Sequence, residues 1–216
     1  MEIEEKTTLR AWKEALKKTI DFGSDFIDVD KRKCRQALNL LVKIDNPEAD
    51  IKKPVQLMNA FKKWEYPPMD ELANIMLSKK VSSAYVYSYG SRLFNFSKEV
   101  DQIDKFVVPL LKKDPTSRRA FVVVWDPKID ANLVSKEVPG LVSIDFKIHE
   151  GKLHLTATIR SNDMFFGWPA NIYQLFVLQK YVADKLDAGI GSLSTFSTSA
   201  HIFEEHFEDI REIIES

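Results

Sequence analysis

Hydrophobic positions recur along the chain at two spacings, one typical of helices and one typical of strands. Leu9, Trp12, Leu16 and Ile20 recur at helical spacing and predict a helix over 7–21. Three more helices are predicted over 54–62, 69–78 and 97–111. In the last of these, Ser97 is the expected N-cap and Pro109 is expected to kink the helix near its end.

Strand patterns occupy much of the rest of the chain. Alternation of apolar and polar residues predicts a strand over 82–89, an apolar run that stops at Asp-Pro predicts one over 119–127, and another is expected over 192–199 after a glycine-rich break at 189–191. Residues 141–161 alternate on two arms around Glu150-Gly151, which predicts a hairpin. Residues 31–44 fit a short helix that runs into a strand, and 46–50 fit a turn.

A long apolar segment over 169–187 predicts a central, mostly buried helix. A final amphipathic helix is expected over 200–214. The chain shows no repeat or linker, so we expect one α+β domain over 1–216, with a mixed twisted sheet packed against helices.

Composition narrows the possible functions of this domain. The 216 residues are 44% hydrophobic and 29% charged, with a net charge of -1, so no global basic field is available to hold nucleic acid. The single cysteine, Cys34, excludes an intramolecular disulfide and a paired-cysteine metal site. No apolar run has membrane-spanning length, and we expect a cytoplasmic protein that uses no metal.

Polar residues are concentrated in one stretch, "RSNDMFFGWPANIYQ" over 160–174, at the border of the most hydrophobic segment. Arg160 and Asp163 could pair with each other or face a ligand. Asn171, alone on an apolar helix, could satisfy a backbone carbonyl or bind the edge of a base. The chain alone leaves these alternatives open.

Two further candidates lie outside this stretch. Arg118 and Arg119 stand side by side before a predicted strand, where they could form a phosphate clamp or remain solvated. His201, expected at the start of the last helix, could cap that helix, pack as a ring or act as a catalyst.

Three segments in this order, "SRR", "RSND…GWPANIY" and "SAHIFEEH", resemble the signature segments of the thymidylate synthase family. The resemblance covers about residues 85–206, and "RSND" with "WPAN" is most similar to the archaeal-type branch. It implies a thymidylate synthase-like fold and a sheet-to-sheet homodimer. It also implies a pyrimidine nucleotide ligand and a methylene-tetrahydrofolate or methylene-tetrahydromethanopterin donor.

The same resemblance implies roles for the phosphate-binding residues. Arg160 would bind the 5′-phosphate, with Arg118 and Arg119 reaching across from a second subunit. Ser161 would assist at the phosphate.

Roles at the base, the sugar and the cofactor are implied in the same way. Asn171 would pair with the pyrimidine edge, His201 would approach the sugar, and Asp163 would lie toward the cofactor and the pyrimidine. Tyr89 resembles the tyrosine of the family's Y-G motif. Glu71 is the expected counterpart of the family's proton-relaying glutamate.

The chain departs from the family pattern where the nucleophile is expected. The family's cysteine lies in a P-C-H segment, and here Gly140 stands at that position, followed by Leu141. Ile159 and Phe203 also replace a glutamine and a tyrosine of the family. Cys34 matches no family nucleophile, and its burial as a packed residue is expected.

Two hypotheses therefore remain open. The family resemblance favours an enzyme that transfers a one-carbon group, methyl or hydroxymethyl, to C5 of a uracil nucleotide. Gly140 favours a catalytically inactive or repurposed nucleotide-binding protein, or a Cys-to-Gly variant of an active enzyme, because the family's thiol activates C5 by adding to C6.

Overall fold

A computed structural model describes residues 1–63, 66–81, 87–135 and 137–216. Its strands are β1 (Glu2–Glu5), β2 (Ser24–Ile27), β3 (Lys33–Ile44), β4 (Phe121–Val123), β5 (Leu141–His149), β6 (Lys152–Ile159), β7 (Asn162–Asp163) and β8 (Gly189–Phe203). Its helices are α1 (Thr8–Phe22), α2 (Lys53–Ala60), α3 (Met69–Leu77), α4 (Tyr89–Phe94), α5 (Val108–Lys113), α6 (Pro127–Asp130), α7 (Gly167–Leu186) and α8 (Phe207–Glu215).

The strands form one mixed sheet with the order β1-β3-β8-β6-β5-β4, in which β2 also pairs with β3 and β7 with β8. β6 and β8 are parallel neighbours, and α7 makes the crossover between them. Its apolar positions, including Ile172, Leu175 and Leu178, are buried, as the sequence predicts for a central helix. The expected mixed α+β architecture is therefore present.

Two buried indole side chains form hydrogen bonds between the helices and the rest of the core. Trp12 of α1 donates its Nε1–H to the carbonyl of Met164 at 2.7 Å, and Trp168 of α7 donates to the hydroxyl of Thr195 at 3.1 Å. Both side chains have no exposed surface. These bonds satisfy the indole N–H groups and fix the segment that joins β6 to α7 against the core.

The hairpin of β5 and β6 forms as the alternation predicts. Glu150 and Gly151 have φ values of 49° and 72°, and a two-residue hairpin turn with the twist of the strands needs positive φ at both positions. At the other end of the hairpin, the pairing shifts register between Leu141 and Ser143. This bulge lies directly beside Gly140, where β5 begins.

The prediction of a helix over 97–111 is wrong for its first turns. Ser97 has a φ of 50° and donates its hydroxyl to Asp126 at 2.9 Å, so it is not an N-cap. Helical structure begins at Ile103 with a π-turn to Val107, and α5 follows. Pro109 lies in the first turn of α5, where its missing N–H costs little, so it does not kink the helix near its end.

The closing helix expected over 200–214 is also wrong at its start. β8 continues through Phe203, because Ala200–Phe203 pair with Cys34–Ala37 of β3. His201 therefore lies in a strand and not at a helix start, and α8 begins only at Phe207. The glycine-rich break before this strand is wrong as well, since Gly189 already pairs with Lys152 of β6.

Two predicted strands differ from the structure, and one ambiguity is resolved. The strand expected over 119–127 is paired only over Phe121–Val123, because the N–H groups of Val124 and Trp125 both point to the carbonyl of Val142. Of the strand expected over 82–89, residues 82–86 lie outside the described residues, and Tyr89 opens α4. The ambiguous segment over 31–44 is a strand from Lys33 onward.

No helix of the described ranges is both long enough and apolar enough to cross a bilayer.

Candidate functional site

The site is built where β5 begins and β6 ends. Leu141 pairs with Ile159, and just beyond that pair the N–H of Arg160 donates to the carbonyl of Gly140 at 2.8 Å. Ser161 follows at the same strand end. The antiparallel hairpin therefore places the segment with the family's nucleophile position against the "RSND" segment, which the sequence separates by about 20 residues.

Gly140 lies so close to the opposite strand that it leaves little room for a side chain. A Cβ atom built on it would lie 2.9 Å from the carbonyl oxygen of Ser161. That distance is shorter than van der Waals contact, and the atom it meets is backbone, which cannot rotate away. Position 140 is therefore closely fitted to glycine in this chain.

The side chain of Arg160 is exposed and holds the segment before β5. Its Nε and Nη2 atoms donate to the carbonyls of Pro139 and Val138 at 3.0 and 2.9 Å. Its own carbonyl accepts from the hydroxyl of Thr198 at 2.8 Å. The guanidinium is thus anchored on one side by backbone oxygens, which aligns it beside Gly140.

Asp163 does not serve as the anchor for Arg160 in these contacts. Its Oδ1 accepts the N–H groups of Phe165 and Phe166 at 2.9 and 3.0 Å, which is the bonding of an Asx turn. This turn leads the chain from β7 into α7. The carboxylate is therefore held at the mouth of the helix by its own backbone.

His201 lies directly across from Asp163 in the pairing of β7 with β8. The N–H of Met164 donates to the carbonyl of His201 at 2.9 Å and closes this end of the pairing. Burial lowers the pKa of His201, and the charge of Asp163 opposes that shift. The ring is therefore expected to be neutral at pH 7, when it can both donate and accept a hydrogen bond.

Asn171 belongs to a short chain of polar side chains. Its Nδ2 donates to Oδ1 of Asn162 at 3.3 Å, and Nδ2 of Asn162 donates to Oγ of Ser197 at 3.0 Å. Gly167 lies in the middle, because a Cβ there would be 3.5 to 3.9 Å from Asp163, Asn171 and Asn162. The backbone-carbonyl role considered for Asn171 is therefore not the contact found.

Two tyrosines at the start of α4 are influenced by the charge of Arg160. The rings of Tyr89 and Tyr87 are 6.2 Å apart. Burial raises the pKa of both phenols, while the charge of Arg160 partly opposes this. The sequence did not single out Tyr87, whose ring centroid is 6.0 Å from the guanidinium centre of Arg92. The charges of Arg160 and Arg92 both oppose the rise in the pKa of Tyr87.

Arg118 and Arg119 are exposed and lie at a distance from this cluster. Phe121 pairs with Asp145, so continuing the register places Arg119 opposite Lys147, seven residues along β5 from Gly140. At about 3.3 Å per residue, the separation is on the order of 20 Å. Within one chain these arginines cannot hold the same phosphate as Arg160.

Glu71 lies in the first turn of α3 and is exposed. α3 packs on α7 through Gln174, which donates to the carbonyl of Leu72 at 3.2 Å. The structure therefore brings Glu71 onto the layer that carries Asn171 without giving it a described partner in the site.

Two residues near the start of β3 also approach the site, and no local pattern in the sequence points to the first of them, Arg32. The guanidinium of Arg32 stacks 3.3 Å from the ring centroid of Phe203 and pairs with Glu205 at 2.6 Å. Cys34 pairs with Phe203 across the sheet and is buried. Burial raises the pKa of its thiol, and the negative charges of Asp28, Glu205 and Asp163 act in the same direction. Cys34 is thus a neutral thiol.

In the ranges that the structure describes, no three His, Cys, Asp or Glu side chains converge in a way that could hold a metal ion.

The fold and the strand-end cluster define an α+β protein with a mixed sheet, a long buried crossover helix and polar residues gathered beside it. A family model for thymidylate synthase matches residues 31–216. The chain belongs to the thymidylate synthase family, as the sequence resemblance predicts.

Relatives cover nearly the whole chain. It is 35% identical over 209 residues to a protein of Methanosarcina barkeri named "Putative thymidylate synthase", with 97% of this chain and 92% of that protein covered. A protein of the same name from Methanothermobacter thermautotrophicus is 32% identical over 218 residues, at 94% and 93% coverage. "Thymidylate synthase 1" of Bacillus spizizenii is 30% identical over 133 residues, covering 61% of this chain and 46% of that protein. The similarity to archaeal proteins agrees with the archaeal-type resemblance.

Proposed function

We propose that this chain binds a pyrimidine nucleoside 5′-monophosphate with uracil as its base, at the strand-end cluster between the start of β5 and the start of α7. Members of the family generally bind a pyrimidine nucleotide and use a folate one-carbon donor. The observation that carries the proposal is the joining of Arg160, Asp163, Asn171 and His201 at adjacent strand ends.

Each of these residues has a role that its chemistry supports. Arg160 supplies charge-assisted hydrogen bonds to the phosphate, because its guanidinium is exposed and already oriented by two carbonyls. Asn171 pairs with the base edge through its donor and acceptor, and neutral His201 approaches the sugar. Asp163 faces the cofactor and the pyrimidine, and Ser161 assists at the phosphate.

Arg118 and Arg119 complete the phosphate site of a neighbouring subunit in this proposal. Their distance from Arg160 along β5 supports a role across an interface and not within one chain. The family is generally dimeric, and a two-fold axis brings equivalent patches together. In this proposal Tyr89 takes the place of the tyrosine of the family's Y-G motif, and Glu71 takes the place of the family's proton-relaying glutamate.

The covalent step of the family reaction lacks its nucleophile in this proposal. That step needs an anion that adds to C6 of the pyrimidine, after which C5 can attack the one-carbon donor. Gly140 has no side chain, and burial keeps the phenol of Tyr89 and the thiol of Cys34 in their neutral forms. We therefore infer nucleotide binding without the family's thiol-dependent chemistry.

One-carbon transfer at C5, from a methylene-tetrahydrofolate or methylene-tetrahydromethanopterin donor, is the second candidate. It is favoured by the family assignment, and Cys34 is the one thiol in the sequence that could serve as its nucleophile. The Cys34→Ser variant tests whether this thiol is the nucleophile of such a transferase. A transferase that depends on this thiol loses its turnover in that variant, whereas a binding protein keeps its affinity for the nucleotide.

The binding proposal is tested by thermal unfolding with dUMP and with deoxyuridine. At about 100 times its dissociation constant, dUMP stabilises the fold by roughly 2.7 kcal/mol, which gives a clear rise in Tm. Arg160→Ala should remove the rise, while Arg211→Ala, which deletes an exposed arginine of α8, should keep it. Equal shifts with dUMP and deoxyuridine would show that the phosphate site is wrong.

A further inference from the structure

Asn162 is a buried amide whose role is not explained by strand pairing. Only 1% of its surface is exposed, although it lies in the two-residue strand β7. Both ends of its side chain are used, since Oδ1 accepts from Asn171 and Nδ2 donates to Ser197. It therefore connects the candidate base-binding amide to the middle of β8.

The order of donors and acceptors along this connection has a direction. A primary amide presents oxygen on one side and N–H on the other, and a 180° turn exchanges them. If Asn171 turned alone, its oxygen would face the oxygen of Asn162, and a buried acceptor without a donor is costly. Asn171 can turn only if Asn162 turns and the hydroxyl of Ser197 changes from acceptor to donor.

Uracil and cytosine differ in this order at the edge that an amide would bind. Uracil presents the N3–H donor beside the O4 acceptor, whereas cytosine presents the N3 acceptor beside the N4–H donor. An amide held in one orientation matches one of these edges and opposes the other. An amide free to turn matches both.

We propose that Asn162, seated on Ser197, is a positioning residue that determines base specificity by fixing the orientation of Asn171. Its oxygen draws one N–H of Asn171 inward, which leaves Oδ1 and the second N–H of Asn171 to face uracil. The inference rests on the proposed binding of a uracil nucleotide, because Asn171 must meet a base for its orientation to matter.

The test is equilibrium binding of dUMP and dCMP to the full chain, by calorimetry, with Asn162→Leu and Ser197→Ala. We expect the ratio of the two dissociation constants to fall about tenfold in each variant, which corresponds to roughly 1.4 kcal/mol, the size of one hydrogen bond. The fall should come largely from tighter binding of dCMP. Asn162→Asp keeps an acceptor toward Asn171 and should keep the preference for dUMP.

The possible results separate the inference from the proposal beneath it. If the unaltered chain binds neither nucleotide, the proposed function fails. If it binds both equally, or if the ratio is unchanged in Asn162→Leu and Ser197→Ala, binding stands and the orienting role of Asn162 is overturned. If Asn162 had a purely structural role, the variants would weaken the binding of both nucleotides by the same factor. If Asn162→Leu does not fold, Ser197→Ala alone decides.

Discussion

Gly140 lies where two strand ends meet with little room between them. Its backbone and that of Ser161 approach so closely that a Cβ would lie 2.9 Å from a carbonyl oxygen. A simple exchange of side chains therefore cannot restore the family's cysteine without a shift of the strand ends.

We expect Gly140→Ala and Gly140→Cys to lower the free energy of unfolding by about 1–3 kcal/mol, as overpacking does in other cores. Urea denaturation measures this. Gly167→Ala is the matched control, since its Cβ would meet neighbours at ordinary contact distances of 3.5 Å or more. Equal stability of Gly140→Cys and the unaltered chain would show that the site has room for the thiol.

The histidines give the fold a defined response to acid. Burial lowers the pKa of both His201 and His154, and Nδ1 of His154 accepts the N–H of Ser192 at 3.0 Å. Unfolding restores an ordinary pKa near 6.5, so the unfolded chain binds more protons in mild acid. Stability should therefore fall as the pH is lowered from about 7 to 5.

His201→Gln and His154→Gln should each make this fall shallower in urea titrations at several pH values. The neutral amide has no proton to gain, so the part of the slope that belongs to that ring disappears. A slope unchanged in both variants would contradict the assignment of the acid response to these two rings.

Single residues can be predicted from the sequence when their type is chemically unusual for their position. Arg160, Asp163 and Asn171 stand out because they border an apolar segment, and the structure does gather them. Asn162 and Arg32 do not stand out, because their importance comes from contacts across the sheet, with Ser197 and Phe203. Such contacts depend on strand register, which local patterns do not fix.

Among the elements, α7 and its entry turn carry the site. Asp163 accepts the N–H groups of two residues just before the helix, so it stabilises the turn as well as facing His201. The helix holds Asn171 one turn later.

Asp163→Ala should therefore destabilise the fold by about 1–2 kcal/mol, the usual cost of removing a helix-entry acceptor. Asp163→Asn keeps an oxygen toward both N–H groups and should stay close to the unaltered chain. Urea denaturation of both variants provides the comparison. If Asp163→Asn and Asp163→Ala lowered the free energy of unfolding equally, the charge of Asp163 and not its hydrogen bonds in the turn would stabilise the fold.

The elements that sequence patterns predict well are those with a strong local signal. α7 has a long apolar pattern, and the β5–β6 hairpin has alternation and a Glu-Gly turn. The predicted closing helix fails over Ala200–Phe203 because pairing with β3 overrides an amphipathic pattern. The strand over 119–127 is too long in the prediction because a bulge in β5 ends its pairing.

For the whole molecule, the proposed phosphate site takes residues from two chains. Arg118 and Arg119 lie about 20 Å along the sheet from Arg160 in one chain. We expect a homodimer, with light scattering giving about twice the 24.9 kDa chain mass.

Mixing two defective chains tests this sharing directly. A chain with Arg118→Ala and Arg119→Ala should bind dUMP poorly, and so should a chain with Arg160→Ala. A mixed dimer of the two has one site with all three arginines, so calorimetry should recover tight binding at one site per dimer. If mixing restores nothing, the arginines do not act across an interface.

We propose that this member of the thymidylate synthase family binds the nucleotide and lacks the group that adds to C6. This proposal is tested most directly by release of tritium from dUMP labelled at C5, with a methylene-tetrahydrofolate donor present. Release of this label requires addition at C6, for which Gly140 provides no group. We expect the chain to bind the labelled dUMP and to release no tritium above the rate without protein. Sustained release by the unaltered chain would contradict it.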